Sequence, residues 1–273
     1  MKIVRGDVPG WVGFLSKTSI PILKYTAREL AQLESDENRL SARAIAATVL
    51  GDPFMVFRII SHAKTHQGKH QLQDLIQVEQ AILMMGTDAF YQNLLPAPLV
   101  EDQLKDNMLA LTHLLRLIKR AHRAAHYASD WAAMRMDLHP DEVRTAALLH
   151  DLAEMMLWCF APDKMNTIFS MQQADSTLRS KAAQEEILGF RIMDLQKAMV
   201  DAFHLPPLLA KLMEDGSTDD ARARNVALAV NLARHSAYGW DNAALPDDFQ
   251  DIANLLHVDV ERVKFLIGMP GAD

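Results

Sequence analysis

The residues best placed to do chemistry are His150 and Asp151, adjacent in the apolar run Leu148-Leu149-His150-Asp151-Leu152. Two ionisable groups buried side by side cost several kcal/mol unless they are paired, hydrogen-bonded or bound to a metal. A His nitrogen and a carboxylate oxygen together make half of a divalent-metal site. Upstream, His122 and His126 stand in Ala121-His122-Arg123-Ala124-Ala125-His126, where residues at i and i+4 share a helix face. A metal-free alternative uses the same residues: Asp151 accepts from His122 or His150 and locks two helices together.

The other reactive side chains have plainer readings. His62, His66 and His70 recur every four residues and could bind Zn or Ni on a continuous helix. Lys64, Gly68 and Lys69 among them point to a solvated loop instead. His113 is expected on the polar face of a long helix or beside a partner, and His126 as a buried, hydrogen-bonded residue. Cys159, in Leu157-Trp158-Cys159-Phe160, reads as an inert buried thiol. Lys119, Arg120 and Arg123 read as a solvated face, with anion binding as the sharper alternative. Glu185-Glu186 and Asp219-Asp220 read as helix-start or surface acids.

Helices must position these groups. Apolar residues recur at three- and four-residue spacing almost everywhere, and β-branched runs alternating with polar residues are missing. The fold class is therefore all-α, a compact multi-helix bundle. Asp52-Pro53 reads as a capped start, since Asp caps and Pro needs no donor at the first position. Gly86 ends one short helix, and Thr87 is expected to cap the next. One long helix is expected from Glu101 to Met136, with Leu104, Met108, Leu111, Leu115, Ile118, Ala121 and Ala125 on its stripe. Pro140-Asp141-Glu142 starts the helix that carries the His-Asp pair. Residues 1–17 form a lead-in. Residues 18–240 form the main domain, with an N-terminal helical subdomain to about 98 and a second subdomain from about 101. Residues 241–273 extend it as further helix packed on the domain.

Composition narrows the function classes. The chain has 273 residues, 49% of them hydrophobic, enough for a sizeable core and too many for a disordered chain. One cysteine cannot build a disulfide framework. Fifteen Met against 10 Phe and 4 Tyr suits a helical core filled by adaptable side chains. The formal charge of −7 argues against non-specific nucleic-acid binding. No apolar stretch is long enough to span a membrane, and Met1 to Lys17 lacks the apolar region of a secretory signal. A cytoplasmic location is expected.

The run from His122 through His150-Asp151 resembles the HD metal-dependent phosphohydrolase superfamily. There, a first His, an adjacent His-Asp pair and a distant final Asp hold one or two metals and hydrolyse phosphoesters. The N-terminal half points to one branch. Ser19-Ile20-Pro21-Ile22-Leu23 comes first, then Gly51-Asp52-Pro53-Phe54-Met55-Val56-Phe57, then Glu79-Gln80-Ala81 ahead of Gly86. Glu186-Ile187-Leu188-Gly189-Phe190 and Phe203-His204-Leu205-Pro206 follow in order. This succession resembles the HDOD family, HD-related output domains of bacterial signalling proteins, over roughly residues 18–240.

Against that family pattern the donors thin out. Asn231, in Val226-Ala227-Leu228-Ala229-Val230-Asn231, stands where the resemblance places the final Asp, and an amide is a poorer ligand than a carboxylate. Leu152-Ala153-Glu154 replaces a small hydrophobe, Gly and Lys, setting a negative charge where phosphate would meet a positive one. Ile192-Met193 and Leu212-Met213-Glu214-Asp215-Gly216 lie where further His residues are common.

The resemblance therefore implies a vestigial site of His122, His150, Asp151 and Asn231, with no catalytic residue and no enzyme activity. No cofactor is expected; if a divalent metal is retained, His122, His150 and Asp151 are its ligands. The implied role is a standalone bacterial signalling protein that binds a protein partner or a small effector without hydrolysis. A sensor kinase or a cyclic-dinucleotide enzyme is the expected kind of partner, with no nucleic acid and no membrane. The alternative is a divergent metal-dependent phosphohydrolase acting on a nucleotide or cyclic dinucleotide.

Overall fold

The computed structural model describes residues 6–36, 38–65, 76–95, 97–175, 177–214 and 219–270. Among them are seventeen α-helices and no strand beyond one isolated parallel bridge between Ile22 and Leu99. In chain order these are α1 (Val8–Leu15), α2 (Lys24–Glu34), α3 (Ala42–Val49), α4 (Pro53–Thr65), α5 (Val78–Met85) and α6 (Thr87–Leu94). Next come α7 (Val100–Gln103), α8 (Met108–Met134), α9 (Pro140–Leu149), α10 (Leu152–Phe160), α11 (Pro162–Ala174) and α12 (Ser180–Leu188). The last are α13 (Ile192–Ala202), α14 (Pro207–Leu212), α15 (Ala221–His235), α16 (Leu245–Leu256) and α17 (Val260–Leu266). The all-α expectation holds, and no helix among the described residues is long and apolar enough to cross a membrane.

The chain divides into two discontinuous units. Unit 1 holds Met1–Ile118 and Asp151–Pro206; unit 2 holds Lys119–His150 and Pro207–Asp273. The subdomain break expected near residue 98 falls inside unit 1. Helix α8 supplies a segment to each unit, and the division separates His150 from Asp151.

Unit 1 is built around one buried carboxylate. Asp52 is fully buried and accepts from the Phe54 and Met55 N–H groups at 3.0 and 3.1 Å, capping α4. Its other oxygen accepts from Leu23 N at 2.7 Å. Arg58, on the same helix, donates to Ile20 O at 2.7 Å and to Leu94 O at 2.9 Å. The Ile20-Pro21-Ile22-Leu23 segment is thereby fastened to α4, and Ile22 exchanges backbone bonds with Pro98 and Val100. Around this frame α2 packs on α3, α3 and α4 on α5, and α5 on α6. Helices α1 and α10 pack on α13, and α11 on α10 and α12. Gly86 joins α5 to α6 at φ 83°, ψ 148°, a conformation L side chains rarely adopt. It stands at the N-cap position of α6, so Thr87 is the first helical residue rather than the cap.

In unit 2, α15 is the central helix, packing on α9, α14 and α16, and α17 closes on α16. Its core holds Trp131, Val143, Val226, Leu232, Leu245, Ile252 and Val263. Asp220 caps α15 by accepting from Arg222 N and Ala223 N, and Lys211 pairs with its carboxylate. That pairing holds the Asp220 carboxyl below its usual range.

Two helices expected to be continuous are broken. The first splits into α7 and α8, because Asn107 caps α8 through its side chain to Ala110 N at 3.1 Å. The expected stripe on this helix is also partly wrong, since Met108 and Leu115 are exposed. The second break falls at the His-Asp pair.

Candidate functional site

Helix α9 ends at Leu149 and α10 begins at Leu152, so His150 and Asp151 form a junction rather than a helix interior. His150 keeps helical dihedrals and is buried, at 3% exposure. Asp151 turns to φ −99°, ψ 24°, the sparsely populated bridge region where many active-site residues sit. Its carbonyl accepts from Met155 N, starting α10, but its side chain does not cap the helix. Gln196 on α13 does that work: its Oε1 accepts from Ala153 N at 2.7 Å. No local sequence signal marks Gln196, because the partner it satisfies is distant in the chain. Glu154, in the position of the expected Lys, is half-buried on α10.

His122 lies half-buried on α8, at the flank of the arc formed by Ala121, Ala124, Ala125 and Ala128. That arc faces α15. Asn225 Nδ2 donates to Ala128 O at 2.9 Å, and Arg123 Nη2 donates to Ser236 Oγ at 2.9 Å. Arg123 is therefore a tie between helices, not the solvated residue expected.

Asn231 is turned away from the helix that carries His150. At roughly 100° per residue, Asn225, Ala229, Leu232 and Ser236 fall on the α8 side of α15. Arg222, Val226 and Ala233 fall on the α9 side, where Arg222 Nη2 bonds Glu142 at 2.8 Å. Arg224 and His235 fall on the α16 side, meeting Asp251 at 3.6 Å and Asp248 at 2.6 Å. Asn231 lies between that side and exposed Arg234, about 160° around the helix from the α9 side. The amide is half-buried there, at the edge of the side that meets α16.

Among the described residues, no three His, Cys, Asp or Glu side chains converge as a metal site.

The remaining histidines exchange the places expected of them. His126 is exposed and meets Asp130 at 3.5 Å across one helical turn. His113 is buried instead, its ring 5.0 Å from that of Trp158 and 4.1 Å from that of Phe169. Burial and the neighbouring Arg116 hold its imidazole below the usual range. His62 lies on α4, whereas His66 and His70 fall outside the described residues. Asp215 and Gly216 fall outside them as well. Cys159 is buried as expected, and burial raises its thiol pKa far enough to leave it inert.

The family model of the HDOD domain matches residues 20–217. No curated protein matches the chain. Among solved structures, the MmoQ response regulator from Methylococcus capsulatus is similar at TM-score 0.70 and 19% identity, covering 92% of this chain and 98% of that one. A virulence factor from Campylobacter jejuni is similar at TM-score 0.67 and 13% identity, covering 95% and 92%. An HDOD domain protein of unknown function from Geobacter sulfurreducens is similar at TM-score 0.50 and 16% identity, covering 96% and 95%. At these identities the likeness is one of fold.

Proposed function

The chain belongs to the HDOD family, and from that premise we propose that it is a cytoplasmic signalling protein that binds a protein partner or a small effector without hydrolysing it. The observation that carries this reading is the position of Asn231 on α15, about 160° around the helix from the side that meets α9. A phosphohydrolase of the HD kind needs its last ligand beside the His-Asp pair. Here that position holds an amide, set about 160° around α15 from the side meeting α9. His150 and Asp151 instead serve the chain itself: they turn α9 into α10, and Gln196 fixes the start of α10. The similarity to a response regulator favours signalling through non-covalent association. A sensor kinase or a cyclic-dinucleotide enzyme is the kind of partner proposed.

Melting of wild type and Asn231→Asp, with and without Mn, tests the reading. The variant is expected to melt within about 1 kcal/mol of wild type, as a substitution at a half-buried site away from the His-Asp pair should. Mn is expected to shift neither protein more than the same ionic strength of sodium chloride. A Mn-dependent rise in the variant that exceeds that of wild type would place Asn231 at the His-Asp pair and overturn the reading.

A further inference from the structure

Unit 2 contains a cleft of about 220 Å³ whose wall includes Arg135, Asp219, Arg224, Asn254 and His257. The two arginines come from the end of α8 and the first turn of α15, and Asn254 and His257 from the end of α16. They are held loosely. Arg135 makes one bond, Nη1 to Leu255 O at 3.3 Å, and Arg224 meets Asp251 at 3.6 Å. Arg222, two residues from Arg224, shows what a structural arginine does in this unit: it makes bonds of 2.7, 2.8 and 3.0 Å to Asp137, Glu142 and His139 O. Among the described residues the other guanidinium N–H groups of Arg135 and Arg224 have no protein partner. Asn254 Oδ1 accepts from Gln250 Nε2 at 3.2 Å, which leaves its Nδ2 group as a donor. His257 closes α16 in the left-handed region at φ 56°, a conformation uncommon for any residue but Gly.

The first N–H groups of α15 are already taken by Asp220, so the helix terminus contributes no donor here. The wall is therefore donor-rich through side chains: two guanidiniums, an amide and an imidazole, against the single carboxylate of exposed Asp219.

We infer that this cleft binds a small phosphate-bearing anion, gripped by Arg135 and Arg224. Planar guanidinium forks match phosphate oxygens in pairs, which favours phosphate over a simple halide. The volume lies below the roughly 300–1,000 Å³ of pockets for drug-sized ligands. It suits a phosphate or pyrophosphate group with little attached, rather than an enclosed dinucleotide. The inference deepens the effector half of the proposed function and rests on it for the ligand's role.

Inorganic phosphate and pyrophosphate are the probes, titrated calorimetrically at constant ionic strength with chloride as the control. Wild type should bind saturably. Arg135→Gln and Arg224→Gln should each weaken binding about tenfold, and the double variant should show none. Arg224→Lys, which keeps the charge and loses the fork, should fall between. Phosphate-induced NMR shifts in wild type, at Arg135, Arg224 and His257, provide a readout that needs no variant. Undiminished binding by the double variant, shifts confined to other residues, or no saturable binding by wild type overturns the inference. Absence of phosphate binding would leave partner binding and the Mn result standing. Metal uptake by Asn231→Asp would overturn the functional reading and leave the cleft untouched.

Discussion

Asp52→Ala is expected to cost the protein about 3–5 kcal/mol of stability, the largest effect of any single substitution considered. The carboxylate is fully buried and serves three backbone N–H groups, at Leu23, Phe54 and Met55. Alanine leaves all three donors unsatisfied in an apolar setting, at about 1–3 kcal/mol for each buried group that water cannot reach. It also removes the negative charge that favours the Arg58 guanidinium. Urea unfolding at pH 7 measures the loss, and a value under about 1 kcal/mol would show that the frame does not depend on this residue.

Asp52 also sets a pH dependence. Burial raises its carboxyl to about 6, against opposing bonds from the backbone and Thr26. A carboxyl whose folded pKa lies above its unfolded value binds its proton more tightly in the folded state. Its contribution is therefore fully present below the unfolded value of 3.8 and is lost as the pH rises through about 6. The stability gap between wild type and Asp52→Asn, which cannot ionise, should accordingly narrow between about pH 4 and pH 7.

Arg222→Ala is expected to cost about 2–4 kcal/mol, expressed in unit 2. Arg222 draws Asp137 and Glu142 together at 2.7 and 2.8 Å and donates to His139 O, fastening the turn before α9 to the start of α15. All three side chains are largely shielded, at 29%, 15% and 12% exposure, so solvent screens the pair less than at an open surface. Alanine would leave two half-buried carboxylates facing each other. Arg222→Lys should recover little, because one ammonium cannot reproduce the fork. Amide hydrogen exchange should report faster opening across residues 137–145, and unchanged protection there would contradict this account.

What the sequence disclosed depended on how local each signal was. The Asp52-Pro53 start was readable because a cap and its helix are neighbours in the chain. That Asp52 also holds Leu23 N was not readable, since nothing local joins residues so far apart. The breaks at Asn107 and at His150-Asp151 were hidden by apolar spacing that runs on through both. On α8, His113, Leu117, Ala124, Ala128 and Trp131 form a buried stripe, and His126 lies off it. Met108 and Leu115, expected on the buried stripe, are exposed, and the exposures of His113 and His126 are the reverse of those expected. The motif order Asp-Pro, Gln-Ala and Leu-Pro carried the family, and the HDOD match over residues 20–217 agrees with it. The bearing of Asn231 did not follow from that order, because it depends on which neighbours α15 packs against.

The central claim is that this HDOD protein binds without hydrolysing. The direct measurement is turnover of nitrophenyl phosphate esters, nucleotides and cyclic dinucleotides by the purified chain in Mn, Mg, Fe and Ni. The account predicts no turnover above that of metal and buffer alone. Phosphoester hydrolysis that disappears in Asp151→Ala, with the variant still folded, would contradict it.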